Sequence, residues 1–528
     1  MRITRRRLLT LGGTAAVGLS LPRWSARAAA PLRTMHPEEG TAGYTSRPDL
    51  RPPPISIASP ADGTAPGFIF LAPFPASAAS TPSTSTPPPR SASHSGPLIV
   101  DDQGEVVWFL PMTEATAMNF RVQRFRGRPV LTWYEGRVLG PYGGSFVIYD
   151  PTYHQVARVK AGRGRHGDLH EFLLTRRGTA LISVYSELAA DLTSVGGPRD
   201  GRLVEGIVQE IDVATSRVLF EWRSSEHVSL DESYRTELTP AGNVDYFHLN
   251  SIDVDHDGHL LVSARHTSAI YKVDRRSGRV LWRLGGKKSD FDIGPGAAFR
   301  FQHDARRQAD GSITIFDNGA TEPGANVSSR GIRITLDMHT KRASLMQEYR
   351  TPNARAGWAM GNIQQLPDGG VFVGWGTDGS FSEFAPDGTL RFDARFADGQ
   401  VGYRAFRLPW TARPTGKPAI GVTQNPGRDD HRLRELGRGN RGRRLASANG
   451  SVSGAAPRGR HDASRRIRDD DHDPADQRLR HSPRPRRLRQ DPRQDDTFSD
   501  LTGKCGHVGG APRACPRPLR QPRSTRRP

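Results

Sequence analysis

His303-Asp304-Ala305-Arg306-Arg307-Gln308-Ala309-Asp310-Gly311-Ser312-Ile313-Thr314-Ile315-Phe316 runs from a polar residue, through a turn glycine eight positions on, into an apolar strand. The same pattern recurs along the chain. Asn119 stands before Gly127, His170 before Gly178 and Asn362 before Gly370 at the same spacing, and His248 stands before Gly258 with two extra residues. Strands rich in Val, Leu, Ile and Trp follow at 129–133, 180–184, 260–264 and 371–375. Self-similarity on this scale marks a propeller or solenoid, in which each unit buries its apolar face against the next. A chemical residue held at a fixed phase then recurs at the same place in every unit.

Further hairpins lie between these repeats and end in aromatic strands, as at 102–109, 214–222 and 276–282, with others near 145–160, 330–349 and 379–396. Residues 55–73, with Ala61-Asp62-Gly63 as a turn, are read as one more inner hairpin. Six inner and six outer hairpins give an all-β fold, a six-bladed β-propeller of four-stranded blades over residues 55–423. Helical periodicity is almost absent, and the Ser/Thr/Pro-rich stretch 76–96 reads as a surface loop.

In a propeller the first strand of each blade lines the central channel and the second returns beside it. The start of the first and the end of the second therefore share one face. Seven residues past the turn glycines stand Tyr134, Tyr185, Arg265, Asn318 and Thr377, so this set and the His/Asn set are expected around one channel mouth. Asn250 joins them, because strand side chains alternate and it lies two residues beyond His248.

The ends of the chain carry most of its charge. The formal net charge is +20, yet the tail from residue 424 holds 25 Arg and one Lys against 13 acidic residues, and the leader holds six Arg. Little is left for the body, which removes the electrostatic case for nucleic acid. Residues 1–28 combine Arg5-Arg6-Arg7, a short apolar run and Ala26-Arg27-Ala28, the layout of a Tat-type signal cleaved near Ala28. Export through the Tat machinery to the periplasm, cell envelope or medium is expected, with 29–54 as a linker and no stable membrane span. Both cysteines, Cys505 and Cys515, lie in the tail, which excludes thiol catalysis and cysteine-ligated metal in the body. The tail itself (424–528) is a low-complexity basic segment, read either as a disordered polyampholyte or as the product of a slipped reading frame. On the second reading the ring would lose its final channel-facing strand.

Three histidines, an arginine and several amides at one opening suit an anionic tetrahedral group. Arg265 offers a fork to two oxygens, Asn250 and Asn318 offer N–H donors, and a histidine can attack or carry a proton. No close-spaced ligand pair accompanies the trio, so no metal is assigned. Asp253-Val254-Asp255-His256-Asp257-Gly258 resembles the first half of a calcium loop, but position twelve is Ala264, and a plain Asp-Gly hairpin is preferred. Gly285-Gly286-Lys287-Lys288 lacks the strand–helix setting of a phosphate loop.

The runs Asp245-Tyr246-Phe247-His248-Leu249-Asn250-Ser251-Ile252, Ser263-Ala264-Arg265-His266, Ser289-Asp290-Phe291-Asp292, Phe301-Gln302-His303-Asp304 and 313–319 resemble, in this order, the bacterial arylsulfotransferases of the six-bladed propeller type. The resemblance spans roughly 55–420 and is strongest over 245–320. It implies transfer of a sulfuryl group from an aryl sulfate ester to a phenolic acceptor, with no cofactor and no nucleotide sulfate donor (PAPS). It also implies His303 as the nucleophile, His248, Asn250 and Arg265 around the sulfuryl oxygens, and His170, within Asp168-Leu169-His170-Glu171-Phe172, as the handler of the phenolic proton. A non-catalytic propeller that captures an anionic or aromatic ligand on the same face is the alternative, and a quinone-cofactor dehydrogenase is more distant because such propellers usually have eight blades.

Overall fold

The computed structural model describes residues 49–80, 93–136, 143–319 and 328–415, and the backbone of 419–424 and 431–436. The Tat-type leader, most of the 29–54 linker and nearly all of the 424–528 tail, with its reading-frame question, lie outside the described residues.

Five blades follow one another along the chain, each opening on its inner strand. Blade 1 begins with Thr116–Phe125, blade 2 with Gly167–Leu174, blade 3 with Leu249–Val254, blade 4 with His303–Arg307 and blade 5 with Asn362–Gln365, and each continues outward antiparallel. Blade 6 is built from both ends of the body. Its inner strand is Phe406–Leu408, beside which lie Phe68–Leu71, Leu98–Val100 and Val106–Phe109. Neighbouring blades meet all the way round, blade 6 touching both blade 5 and blade 1, so the ring is closed.

Two expectations are corrected here. Residues 55–73 do not form an inner hairpin. Ile55–Ser59 instead becomes a fifth, outermost strand on blade 5, with Ile55 opposite Phe396, and Phe68–Leu71 is a second strand whose inner neighbour comes from the far end of the body. Nor does closure need the tail, because the clasp strand ends at Leu408. The physical reason is the same in both cases: pairing strands from the two ends removes two open edges that would otherwise expose unpaired N–H and C=O groups. The blades are also not uniformly four-stranded. Val244–Asp245 adds in parallel to blade 2 and Asp292–Ile293 to blade 4. Within the stretch read as a loop, Ala76–Ser80 is a short helix, and no helix among the described residues is long and apolar enough to cross a membrane.

The alternation of the strands fills each junction between blades with apolar side chains. Among the described residues there are six such clusters, one per junction: Val208 and Trp222 of blade 2 meet Phe247 and Tyr271 beside blade 3, and Phe70 of blade 6 meets Phe120 and Trp133 of blade 1. The repeat's turn glycines are needed for their backbone. Gly127, Gly178, Gly258 and Gly311 have φ between +76° and +86°, a region costly for any side chain. In blade 5 this position is Gly369, one residue ahead of Gly370.

At the ring's axis lies a knot of buried charge. Glu171 is fully buried and accepts hydrogen bonds from Arg121 (2.8 Å), Arg404 (3.3 Å) and Arg306, while Asp304 pairs with Arg306 (2.7 Å) and Arg404 (3.3 Å). Arg404 stands two residues before the clasp strand. Burial works to raise the Glu171 carboxyl, but Arg306, Arg404 and Arg121 outweigh it and hold it well below the usual carboxylate range. Breaking one side of such a buried set costs about 3–5 kcal/mol, because the remaining charges stay sealed from water.

Arg404→Met is therefore expected to lower unfolding free energy by about 3–5 kcal/mol in urea titrations. A chain ending at residue 415 should keep the parent's unfolding midpoint within error, whereas one ending at residue 402 should fail to give a cooperative transition.

Candidate functional site

Bulges in the inner strands aim the polar side chains. The ladder between the first two strands is interrupted between Leu249 and Ser251 in blade 3 and between His303 and Arg306 in blade 4. Asn119, His248 and Asp304 adopt left-handed φ of 54° to 57°, a conformation that costs a non-glycine residue about 1–3 kcal/mol. Such local strain persists only where the surroundings hold it.

His170, His248, His303 and Arg265 come together as the repeat phase requires. The His170 and His248 rings lie 4.9 Å apart, Tyr185 stacks on His170 at 5.4 Å, and Tyr403 lies 5.6 Å from His170 and 6.5 Å from His303. His303 and Arg265 are buried to 1% and 5% exposure. Other members of the two sets do not join them. Asn119 binds Arg404 in the axial knot, Asn362 exchanges hydrogen bonds with the Ala405 backbone beside the clasp, Tyr134 packs in the junction of blades 1 and 2, and Thr377 receives the Ala359 N–H.

Each of the three histidines is held at the same ring atom. His170 Nδ1 lies 2.6 Å from Asp168 Oδ1, His248 Nδ1 2.5 Å from Asp245 Oδ2, and His303 Nδ1 2.7 Å from Asn318 Oδ1. Carboxylate and amide oxygens accept, so Nδ1 carries a proton in every case, and the neutral form of each ring has its lone pair on Nε2. The orientation of the Asn318 amide is fixed independently, because its Nδ2 donates to the carbonyls of Gly357 (2.5 Å) and Met360 (3.0 Å). Both its N–H bonds are thus occupied. Asn318, expected as a donor to substrate, instead orients His303. Asn250 is fully buried and donates one N–H to the Gln302 carbonyl at 2.7 Å, while its own backbone carbonyl accepts from Tyr403 and Arg404.

The electrostatics favour neutral His248 and His303 rings beside one cation. Burial, then the nearby Arg265, pushes His303 well below the ordinary histidine value. His248 is also lowered, since burial outweighs the pull of Asp245. Burial, with Arg235 next, brings Arg265 down to about 10, which leaves it charged at neutral pH. Burial opposes ionisation of Asp245, yet His248 and His266 beside it hold its carboxyl below the usual range.

Asp168, Asp245, His266 and Tyr403 were not singled out from sequence. The first two carry a signal, an aspartate two or three residues ahead of a phased histidine. Tyr403 carries none, because it precedes the clasp strand and has no turn glycine in phase.

The calcium-like turn is a hairpin turn whose carboxylates are already paired. Asp255 binds Lys272 and Arg307, and Asp257 binds Lys272. A cleft of about 380 Å³ opens beside it, lined in part by Lys272, Trp282 and Arg307. None of the candidate residues lines that cleft.

A family model described as Arylsulfotransferase (ASST) matches residues 121–397, more than half of the chain. No curated relative matches. Among solved structures, similarity is found to a protein of unknown function from Bacteroides caccae (10% identity, TM-score 0.38, 64% of this chain and 98% of that one). A catalytically inactive variant of virginiamycin B lyase from Staphylococcus aureus, crystallised with quinupristin, matches at 9% identity and TM-score 0.32, over 72% and 96%. A putative 6-phosphogluconolactonase from Bacteroides fragilis matches at 13% and 0.32, over 66% and 99%.

The lowered histidines have a consequence for stability. A group whose folded value lies below its unfolded value of about 6.5 takes up a proton on unfolding, so stability falls as pH drops through that value. The unfolding midpoint is expected to fall between pH 7.5 and 5.5, and to fall less in His303→Asn. An equal fall in the two proteins would show that His303 is not among the depressed groups.

Proposed function

The chain belongs to the arylsulfotransferase family, and from that membership and the three histidines whose Nδ1 is held so that the neutral ring offers Nε2 we propose that it carries a sulfuryl group from an aryl sulfate ester to a phenol through a sulfohistidine at His303. The family is a group of PAPS-independent sulfotransferases that act on aryl sulfates. The observation that carries the finer reading is the difference between the Nδ1 partners. His170 and His248 each face a carboxylate, which suits a ring that becomes positively charged. His303 faces a neutral amide, which fixes its tautomer and adds no negative charge behind the ring that must receive an anionic ester.

In the first half-reaction the Nε2 lone pair of His303 attacks sulfur, the bond from sulfur to the aryl oxygen breaks, and the phenolate leaves with that electron pair. Arg265 stabilises charge on the sulfuryl oxygens, and the amide oxygen of Asn318 supports the Nδ1–H of the ring, which becomes cationic once Nε2 is substituted. In the second, His170 Nε2 takes the proton of the incoming phenol, whose oxygen bonds to sulfur as the N–S bond breaks and its pair returns to Nε2. The proton then passes from His170 to the phenolate released first. Phenols ionise near pH 10, so the leaving group needs no nucleotide activation. We also propose export by the Tat pathway, on the basis of the leader's paired arginines.

His303→Ala is expected to abolish release of 4-nitrophenol from 4-nitrophenyl sulfate in the presence of a phenol, while a β-rich circular dichroism spectrum persists. Brief exposure of the parent protein to donor should place an acid-labile sulfuryl mass on the peptide that holds His303; label on His170 or His248 would overturn the assignment. Arg265→Lys keeps the charge but loses the fork, and should lower kcat by about 10²–10³. Tight donor binding with no turnover in the parent protein would instead identify a ligand-capture propeller. Replacing Arg5 and Arg6 by Lys should leave the protein in the cytoplasm; unchanged export sinks the Tat reading.

A further inference from the structure

Two arms of the Arg265 guanidinium are held by neutral acceptors on different elements. Nη1 lies 3.0 Å from His266 Nε2, and Nη2 donates to the Trp358 carbonyl at 2.9 Å. The guanidinium carbon stands 5.5 Å over the Phe301 ring. His266 is itself fixed from behind, with its Nδ1 2.5 Å from the Asp245 carbonyl oxygen. A carbonyl can only accept and a guanidinium can only donate, so His266 must be the neutral ring with its proton on Nδ1 and its lone pair on Nε2. The same Asp245 holds His248 through Oδ2, and the His248 and His266 rings lie 4.5 Å apart.

We propose that His266 is a positioning residue that sets the plane of the Arg265 fork, and that Asp245 is the common anchor which aligns this fork with His248. The assignment rests on the sulfuryl-transfer reading for its purpose, though not for its geometry. Arg265 has a long, flexible side chain, and a fork that must meet two oxygens in a developing transition state loses its value when it swings. His266 supplies the stop. It does so as a rigid ring on the residue next in the chain, itself only 9% exposed and tied to the turn that carries His248.

The arrangement also has the spacing of a metal site. Ligand atoms of Asp245, His248 and His266 all lie within 4.8 Å of one another. The hydrogen bonds favour the positioning role. Both Nδ1 atoms are engaged as donors to Asp245, His266 Nε2 is engaged by Arg265, and a divalent ion would stand beside a buried guanidinium.

The test compares His266→Gln, whose side-chain oxygen can stand near the position of Nε2, with His266→Phe, which keeps the bulk and loses the acceptor. In turnover of 4-nitrophenyl sulfate with a phenol, His266→Phe should lower kcat about 30-fold with the acceptor KM within about twofold, and His266→Gln should retain at least about a third of parent kcat. In an Arg265→Lys background, His266→Phe should cost less than about threefold, because both changes remove the same oriented fork. Donor binding by calorimetry in a His303→Ala background, where turnover is blocked, should weaken about tenfold with Phe and recover with Gln. Equal defects in Phe and Gln, or effects of His266→Phe and Arg265→Lys that multiply, would overturn the proposal. So would stoichiometric zinc in the purified protein whose removal by chelator ends turnover. If the parent protein transfers no sulfuryl group yet the binding pattern holds, the functional reading falls and the positioning role stands; if neither appears, both fall.

Discussion

A carboxylate sealed from water among three arginines holds the ring together at its axis. Glu171 belongs to blade 2, Arg121 to blade 1, Arg306 to blade 4, and Arg404 to the approach of the clasp strand. Glu171 and Arg404 are sealed from water and Arg121 and Arg306 nearly so, so each is tolerable only while the others stay in place. The constraint reaches further than stability. Glu171 follows His170 and Asp304 follows His303 in the chain. Each pair sits in a bulge of its inner strand, so fixing the acidic residue in the knot also fixes the backbone that carries the histidine before it. The chemistry is registered against the knot, one residue at a time.

Above the knot, the histidines share geometry and differ in electrostatics. All three present Nε2, and all three owe this to a hydrogen bond at Nδ1, which is a choice made by neighbours rather than by the rings themselves. An amide and deep burial keep His303 free of a proton on Nε2, and at His248 burial outweighs the carboxylate behind the ring. One strongly buried cation, Arg265, then faces uncharged rings, the arrangement in which an entering anion gains most from it.

The repeat made much of this legible from sequence. A polar residue at constant phase picked out His170, His248 and His303, and the positions seven past the glycines picked out Arg265, Tyr185 and Asn318, because turn, strand length and blade geometry are shared between units. The same rule failed for Asn119 and Asn362, which lie in phase but bind the clasp region and its arginine. Phase gives the direction of a side chain, and what it meets there depends on the neighbouring blade. Asn318 was found for the wrong reason: its amide hydrogens go to two backbone carbonyls that lie 39 and 42 residues away in sequence, contacts that no local pattern encodes. The clasp was missed because a three-residue strand with no glycine in phase carries almost no periodic signal, and the apolar run at 68–71 reads equally well as the partner of a strand before it or after it.

Closure and site formation are consequently one event. Tyr403 and Arg404 both donate to the carbonyl of Asn250, Arg404 also joins Glu171, and the Tyr403 ring lies beside His170 and His303. Seating Phe406–Leu408 against Phe68–Leu71 therefore delivers the last arginine of the knot and one wall of the site together. An opened ring would lose the clasp's hydrogen bonds, strand an acidic residue among fewer cations, and release the carbonyl of Asn250. Because the penalty for a half-paired buried charge is several kcal/mol, partly open forms are strongly disfavoured relative to both the closed ring and the unfolded chain. The buried knot that makes the ring expensive to open is thus also what keeps the three Nε2 atoms and the Arg265 fork in a single arrangement.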